Sequence, residues 1–138
     1  MSAYPRTPDE WQAFGKDALP GHLSMRVHAV AAGEAHLSLV VTPAHLAPNG
    51  FLHAGTIVSL ADTACGYGCL ATLPEGATGF TTLELKSNHL RTALEGLVEV
   101  RASSAHLGRS TQVWDAVVTH RGKSIAIFRC TQLILWPR

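Results

Sequence analysis

The sequence predicts an α+β domain in which an antiparallel sheet wraps around one long central helix. Three observations lead there. Only one long segment, residues 53–71, carries its apolar residues at helical spacing. Two extended segments precede it and four follow, the latter rich in β-branched or aromatic residues. The connections between them are short, which favours antiparallel pairing. At 138 residues the chain is expected to form a single domain, 1–138.

The elements follow in order. Thr7-Pro8-Asp9-Glu10 is a helix start: Thr7 caps, Pro8 suits the first helical position, and Glu10 closes a capping box. A short helix, about 8–16, should end before a break at Pro20-Gly21. Residues 22–31 and 35–42 read as strands joined by a turn at Gly33-Glu34. In the second, Leu37, Leu39 and Val41 alternate with His36, Ser38 and Val40. Residues 43–50, with two prolines, an asparagine and a glycine, read as a loop.

The central helix repeats Ile57, Leu60, Ala61, Ala64, Cys65 and Gly68 on a broad apolar face. Its richness in Ala, Gly, Ser and Thr lets strands approach closely, so a sheet should wrap it. A second face carries Gly55, Ser59, Asp62 and Gly66, where small neighbours leave room for a ligand beside a carboxylate. After a loop at 74–79 come strands near 79–87, 96–106, 111–120 and 124–136, with turns at Gly108-Arg109 and Arg121-Gly122-Lys123. A small sheet curled around one helix leaves an edge and a face uncovered. A homodimer or homotetramer is the expected way to cover them.

Composition excludes several functions. Apolar residues make up 46% and charged residues 15%, so disorder is not expected. The net charge is +1 with no basic run, which argues against nucleic acid and membrane as partners. The first twenty residues hold no continuous apolar stretch, which argues against a secretory signal. Three cysteines, Cys65, Cys69 and Cys130, form no framework spacing and read as reduced thiols in a cytoplasmic protein. Cys65 and Cys69 share a helix face, but a metal would need two further ligands, and none is evident. No sequence cue pairs either thiol with a base, so both read as packing rather than nucleophiles.

Chemistry concentrates in Asn49-Gly50-Phe51-Leu52-His53-Ala54-Gly55 and the helix that follows. A glycine-containing turn runs straight into a helix N-terminus, whose first N–H groups lack intrahelical partners and carry partial positive charge. Such groups polarise a carbonyl or bind an oxyanion. About two turns later Asp62 stands on an otherwise apolar stretch, and a half-buried carboxylate must be paired, hydrated or functional. The plainer readings are that Asp62 bonds a nearby Ser or Thr, and that His53 only caps the helix.

His53-Ala54-Gly55 followed by Leu60-Ala61-Asp62-Thr63-Ala64 resembles the HGG…LAD-T-A signature of PaaI-type hotdog thioesterases. Leu85-Lys86-Ser87-Asn88-His89-Leu90-Arg91 is similar to that family's strand ending in asparagine. His106-Leu107-Gly108-Arg109-Ser110 resembles its H-x-G-R turn, and Gly122-Lys123 with Ala126 and Thr131 its closing strand. The resemblance runs from about residue 22 to 135.

It implies a hotdog fold paired into dimers or tetramers, with the active site at the subunit interface and an acyl-CoA substrate. Coenzyme A is then part of the substrate, and no separate cofactor is implied. The backbone N–H of Ala54, in the place of the motif's first glycine, becomes the oxyanion donor beside Gly55. Asp62 becomes the nucleophile or general base, and His53 takes the histidine position. Two departures stand out. The family often has Asn or Gln six residues before the histidine, where this chain has Ala47, with Asn49 nearby as a substitute. The position four after the acid, Ser or Thr in some relatives, is Gly66, which leaves that role vacant or taken by Thr63. For the substrate, Phe80, Thr81 and Thr82 are candidates to line the acyl pocket, with Trp114 and Phe128 either there or in the core. Asn88 belongs to the matched strand. Arg109 and Ser110, then Arg91, are candidates for the phosphates of CoA. The competing functions are a non-catalytic acyl-CoA binding module and a hotdog hydratase or dehydratase.

Overall fold

A computed structural model of the protein describes residues 4–138; residues 1–3 of the expected domain lie outside it. The chain opens with α1 (Pro8–Phe14), capped by Thr7, whose Oγ1 accepts the Glu10 N–H at 3.2 Å. The Glu10 carboxylate reaches back to the Arg6 N–H at 2.7 Å, one residue earlier than the cap itself. Trp11 turns inward and stacks on Tyr67 with ring centroids 4.8 Å apart.

The first strand corrects the sequence reading. Residues 22–25 are not extended, because Leu19–His22 form a single helical turn, α2. Pro20 lies in its first turn, where a missing N–H leaves no bond unmade. The chain then swings through Ser24, at φ 55°, into β1 (Arg26–Ala31). β2 (Glu34–Val40) returns antiparallel after a turn at Gly33, φ +82°. The expected loop at 43–50 contains a 3₁₀ turn, Pro43–His45, with His45 fully buried.

α3 (Ala54–Ala71) is the central helix. β3 (Gly79–His89), β4 (Leu97–Leu107), β5 (Thr111–His120) and β6 (Lys123–Leu135) complete a six-stranded sheet in the order β1-β2-β4-β5-β6-β3. Every pairing in it is antiparallel. α3 touches all six strands. This enclosure requires small side chains on the helix. A Cβ at Gly68 would lie 2.5 Å from Cη2 of Trp114, itself fully buried and held by its Nε1–H donating to Gln112 Oε1 at 2.8 Å. Trp114 and Phe128 are both core residues. β1 and β3 are the sheet's edges, and β3 leaves Leu83 and Leu85 exposed.

The three cysteines are buried, free thiols in the core. Cys65 hydrogen-bonds to Cys130, and this together with burial pushes the Cys65 thiol far up. Burial pushes Cys69 up to about 12. Cys65 and Cys69 therefore stay protonated and act as packing. Among the described residues no cluster of His, Cys, Asp and Glu could hold a metal ion, and no helix is long and apolar enough to cross a membrane.

Candidate active site

The site is organised around the start of α3. Asn49 builds the approach: its Oδ1 accepts the Phe51 N–H at 3.1 Å, while Gly50, at φ +86°, lets the chain turn back. The Ala47 N–H donates to Phe51 O at 2.7 Å, closing a tight loop that delivers His53 as the helix cap.

His53 Nδ1 accepts the Gly55 N–H at 2.7 Å, which puts the ring proton on Nε2. The first two N–H groups of the helix therefore differ. The Gly55 N–H is occupied by the cap. The Ala54 N–H has no acceptor among the described residues, and Ala54 is exposed. Gly55 contributes by lacking a side chain, since a Cβ there would sit 2.9 Å from His53 Nδ1.

One residue that the sequence did not single out anchors this geometry. His45 Nδ1 accepts the Thr42 N–H at 2.9 Å, and its Nε2–H donates to Leu23 O at 2.7 Å. Its backbone carbonyl accepts the His53 N–H at 3.0 Å and the Thr56 hydroxyl at 2.9 Å. The buried imidazole thus ties the helix start to the chain just after β2 and to the segment before β1. The available signal was Thr42-Pro43, a helix-start pair where the predicted strand 35–42 meets the predicted loop 43–50.

Asp62 lies on α3 two turns beyond, half-buried, with Oδ1 fully enclosed and without a hydrogen-bond partner. Burial raises its carboxyl above the usual aspartate range. The plainer reading, a bond to a neighbouring hydroxyl, does not account for Oδ1. Ser59 instead donates to the Gly55 carbonyl at 2.7 Å. Thr63 is half-buried beside Asp62, and Gly66 is buried one turn on. A Cβ at Gly66 would lie 3.0 Å from Cζ of Phe80, so the Phe80 ring fills the place of a side chain there.

The remaining candidates divide by face and by end of the sheet. Phe80 and Thr82 pair with Ile134 and Gln132, both buried against the core, and so face α3. Thr81 alternates to the outer face. Asn88 pairs with exposed Ile127 and also lies on the outer face, beside Lys86, Asp115 and Arg129. Arg91 lies near the helix start, because Ala93 O accepts the Leu52 N–H at 3.1 Å. With Arg121, Lys123, His120 and Glu95 it lines a cleft of about 600 Å³, and its Nη1 donates to Ser124 O at 2.8 Å. Arg109 and Ser110 sit at the opposite end, beyond the end of α3. There Arg109 lies 4.1 Å over the Trp136 ring, and Ser110 O accepts the Ile134 N–H. One subunit therefore does not bring Arg91 and Arg109 together.

The thioesterase superfamily pattern matches residues 49–127, a span that holds the cap, α3 and β3–β5. The chain belongs to the thioesterase superfamily. It is 36% identical over 110 residues to a 1,4-dihydroxy-2-naphthoyl-CoA hydrolase of Listeria monocytogenes, covering 79% of this chain and 89% of that protein. It is 30% identical over 118 residues to the acyl-coenzyme A thioesterase PaaI of Escherichia coli, covering 84% and 81%. Among solved structures it is similar to a mutant thioesterase PA1618 of Pseudomonas aeruginosa, with a TM-score of 0.89, 28% identity and 96% of each chain covered. The fold is thus the hotdog fold that the sequence resemblance implied, and by family the protein is a thioesterase.

Proposed function

We propose that this thioesterase hydrolyses acyl-CoA thioesters to a free acid and CoA. In this reading Asp62 of one subunit and the Ala54 N–H of another form each site. The observation that carries it is a carboxylate with one enclosed, unpartnered oxygen on the same helix whose first N–H has no acceptor among the described residues. The two groups are eight residues apart, which is about 12 Å along one helix, too far to act on one carbonyl. A second copy packed with its α3 antiparallel closes that gap, and the exposed edge of β3 supplies a place to pair.

In such a site the Ala54 N–H polarises the thioester carbonyl and stabilises the oxyanion that forms. Asp62 attacks the carbonyl carbon, giving an anhydride that water opens, or takes a proton from water that attacks in its place. Either way the C–S bond breaks and the CoA sulfur leaves, to be protonated. The raised affinity of Asp62 for a proton makes it a better base than an exposed aspartate. The cationic cleft of Arg91, Arg121 and Lys123 beside the helix start suits the phosphates of CoA. Antiparallel packing would bring Arg109 and Ser110 of the second copy to the same end.

The test is thiol release from a panel of aryl- and alkyl-CoA esters by wild type and Asp62→Asn. Release by wild type, with a loss of at least about 10²-fold in the variant, supports the reading. Binding of the esters without release of thiol would replace it with a binding module. A changed acyl chain still attached to CoA would replace it with a hydratase.

A further inference from the structure

The helix face that carries Asp62 ends abruptly, and the residue that ends it comes from the sheet. α3 and β3 run in opposite directions. The start of α3 lies by Ala93, beyond the end of β3, while its last turn lies by Gln112, since the Gln112 amide donates to Thr72 O at 3.1 Å. Gln112 pairs with Gln132, and Gln132 with Thr82 near the start of β3. Phe80 therefore faces the second half of α3. Its Cζ stands 3.0 Å from where a Gly66 Cβ would be, so the ring tip rests against the helix backbone.

Asp62 and Gly66 are four residues apart on one face of α3, about 6 Å along its axis, so the Phe80 ring stands about one helical turn beyond Asp62. Side chains on a helix tilt toward its N-terminus, so the Asp62 carboxylate leans away from the ring. The interval between the carboxylate and the ring is about one helical turn, with half-buried Thr63 next to Asp62. Phe80 is itself only half-buried.

We infer that Phe80, seated on Gly66, is the stop of the acyl slot and sets the length of acyl group the enzyme accepts. This rests on the placement of the reacting carbonyl at Asp62. An acyl chain leading inward from that point runs along α3 toward Gly66 and meets the ring after about one helical turn. The slot therefore takes short aliphatic or single-ring acyl groups and rejects long chains. The absence of a side chain at residue 66 lets the ring close the slot; a larger residue there would push the ring and shorten it.

The experiment is thiol release from acetyl-, butyryl-, hexanoyl-, octanoyl-, dodecanoyl- and benzoyl-CoA by wild type, Phe80→Ala and Phe80→Leu. The readout is the ratio of kcat/KM for octanoyl- to butyryl-CoA within each variant, which does not depend on how much of that variant is folded. Wild type should prefer the shorter ester. Phe80→Ala should raise the ratio by at least about 10-fold, the least that one methylene's worth of fit supplies, with Phe80→Leu between. A wild type that hydrolyses these esters while the ratio stays the same in both variants would overturn the role of Phe80 alone. No release from any ester by wild type would overturn the site itself, and this inference with it.

Discussion

Ala54→Pro isolates the oxyanion donor. The substitution replaces one N–H by the ring Cδ of proline, at a position suited to that residue. Ala54 is the first residue of α3, where proline is favoured and no intrahelical bond is lost. The preceding residue, His53, is already extended at φ −67°, ψ 133°, as a residue before proline must be. The Gly55 N–H remains engaged by His53 Nδ1 at 2.7 Å and does not replace the lost donor. The loss should therefore be that of a single oxyanion donor, about 10²–10³ in kcat or roughly 2.7–4 kcal/mol, with the melting temperature little changed. The assay is thiol release under saturating ester, with circular dichroism to confirm the helix. A folded Ala54→Pro enzyme within about threefold of wild type would refute the assignment. The same variant tests the sharing of the site. Mixed one to one with Asp62→Asn under conditions of subunit exchange, half of the dimers pair one of each and hold one intact site of two. About a quarter of wild-type activity should return. No recovery after proven exchange would put both groups in one subunit.

Two further outcomes follow from the packing and the electrostatics. Gly68→Ala places a methyl 2.5 Å from a Trp114 ring with no room to move, and should cost about 1–3 kcal/mol, read as a lowered melting temperature. Asp62→Asn should melt higher than wild type at neutral pH. Burial raises the Asp62 carboxyl, so its favourable contribution is full below the ordinary aspartate range and is lost as pH rises through its folded value. The two melting curves should converge in acid and separate as pH rises. The acid limb of wild-type activity should lie above that of an unperturbed aspartate for the same reason. Equal stability of the two proteins at all pH values would contradict this.

Much of this was legible in the sequence because the strongest signals were local. The long helix announced itself through spacing, and Asp62 through being a lone charge on it. The turn at Gly33 and the cap at Thr7 follow rules of chain geometry that act within a few residues. What was not legible depended on partners distant in sequence. Residues 22–25 read as strand because nothing local shows that Pro20 opens a helical turn rather than breaking one. His45 looked like a loop histidine, since its value lies in joining Leu23, Thr42, His53 and Thr56. Thr81 and Asn88 could be placed on a face only once the β3–β6 register was known, and a bulge between Thr82 and Glu84 shifts that register midway. That the Gly55 N–H is engaged by the cap needed the direction of one imidazole ring.

The glycines of α3 bear on how the protein unfolds. Gly66 and Gly68, in the second half of the helix, each cost roughly 1 kcal/mol of helix stability relative to alanine. Such a segment has little reason to stay helical by itself. It is held by the strands that enclose it, and those strands have no other core to close on. Helix and sheet should therefore come apart in one event, and the backbone amides at the middle of α3 should exchange their hydrogens with solvent no faster than those of β5.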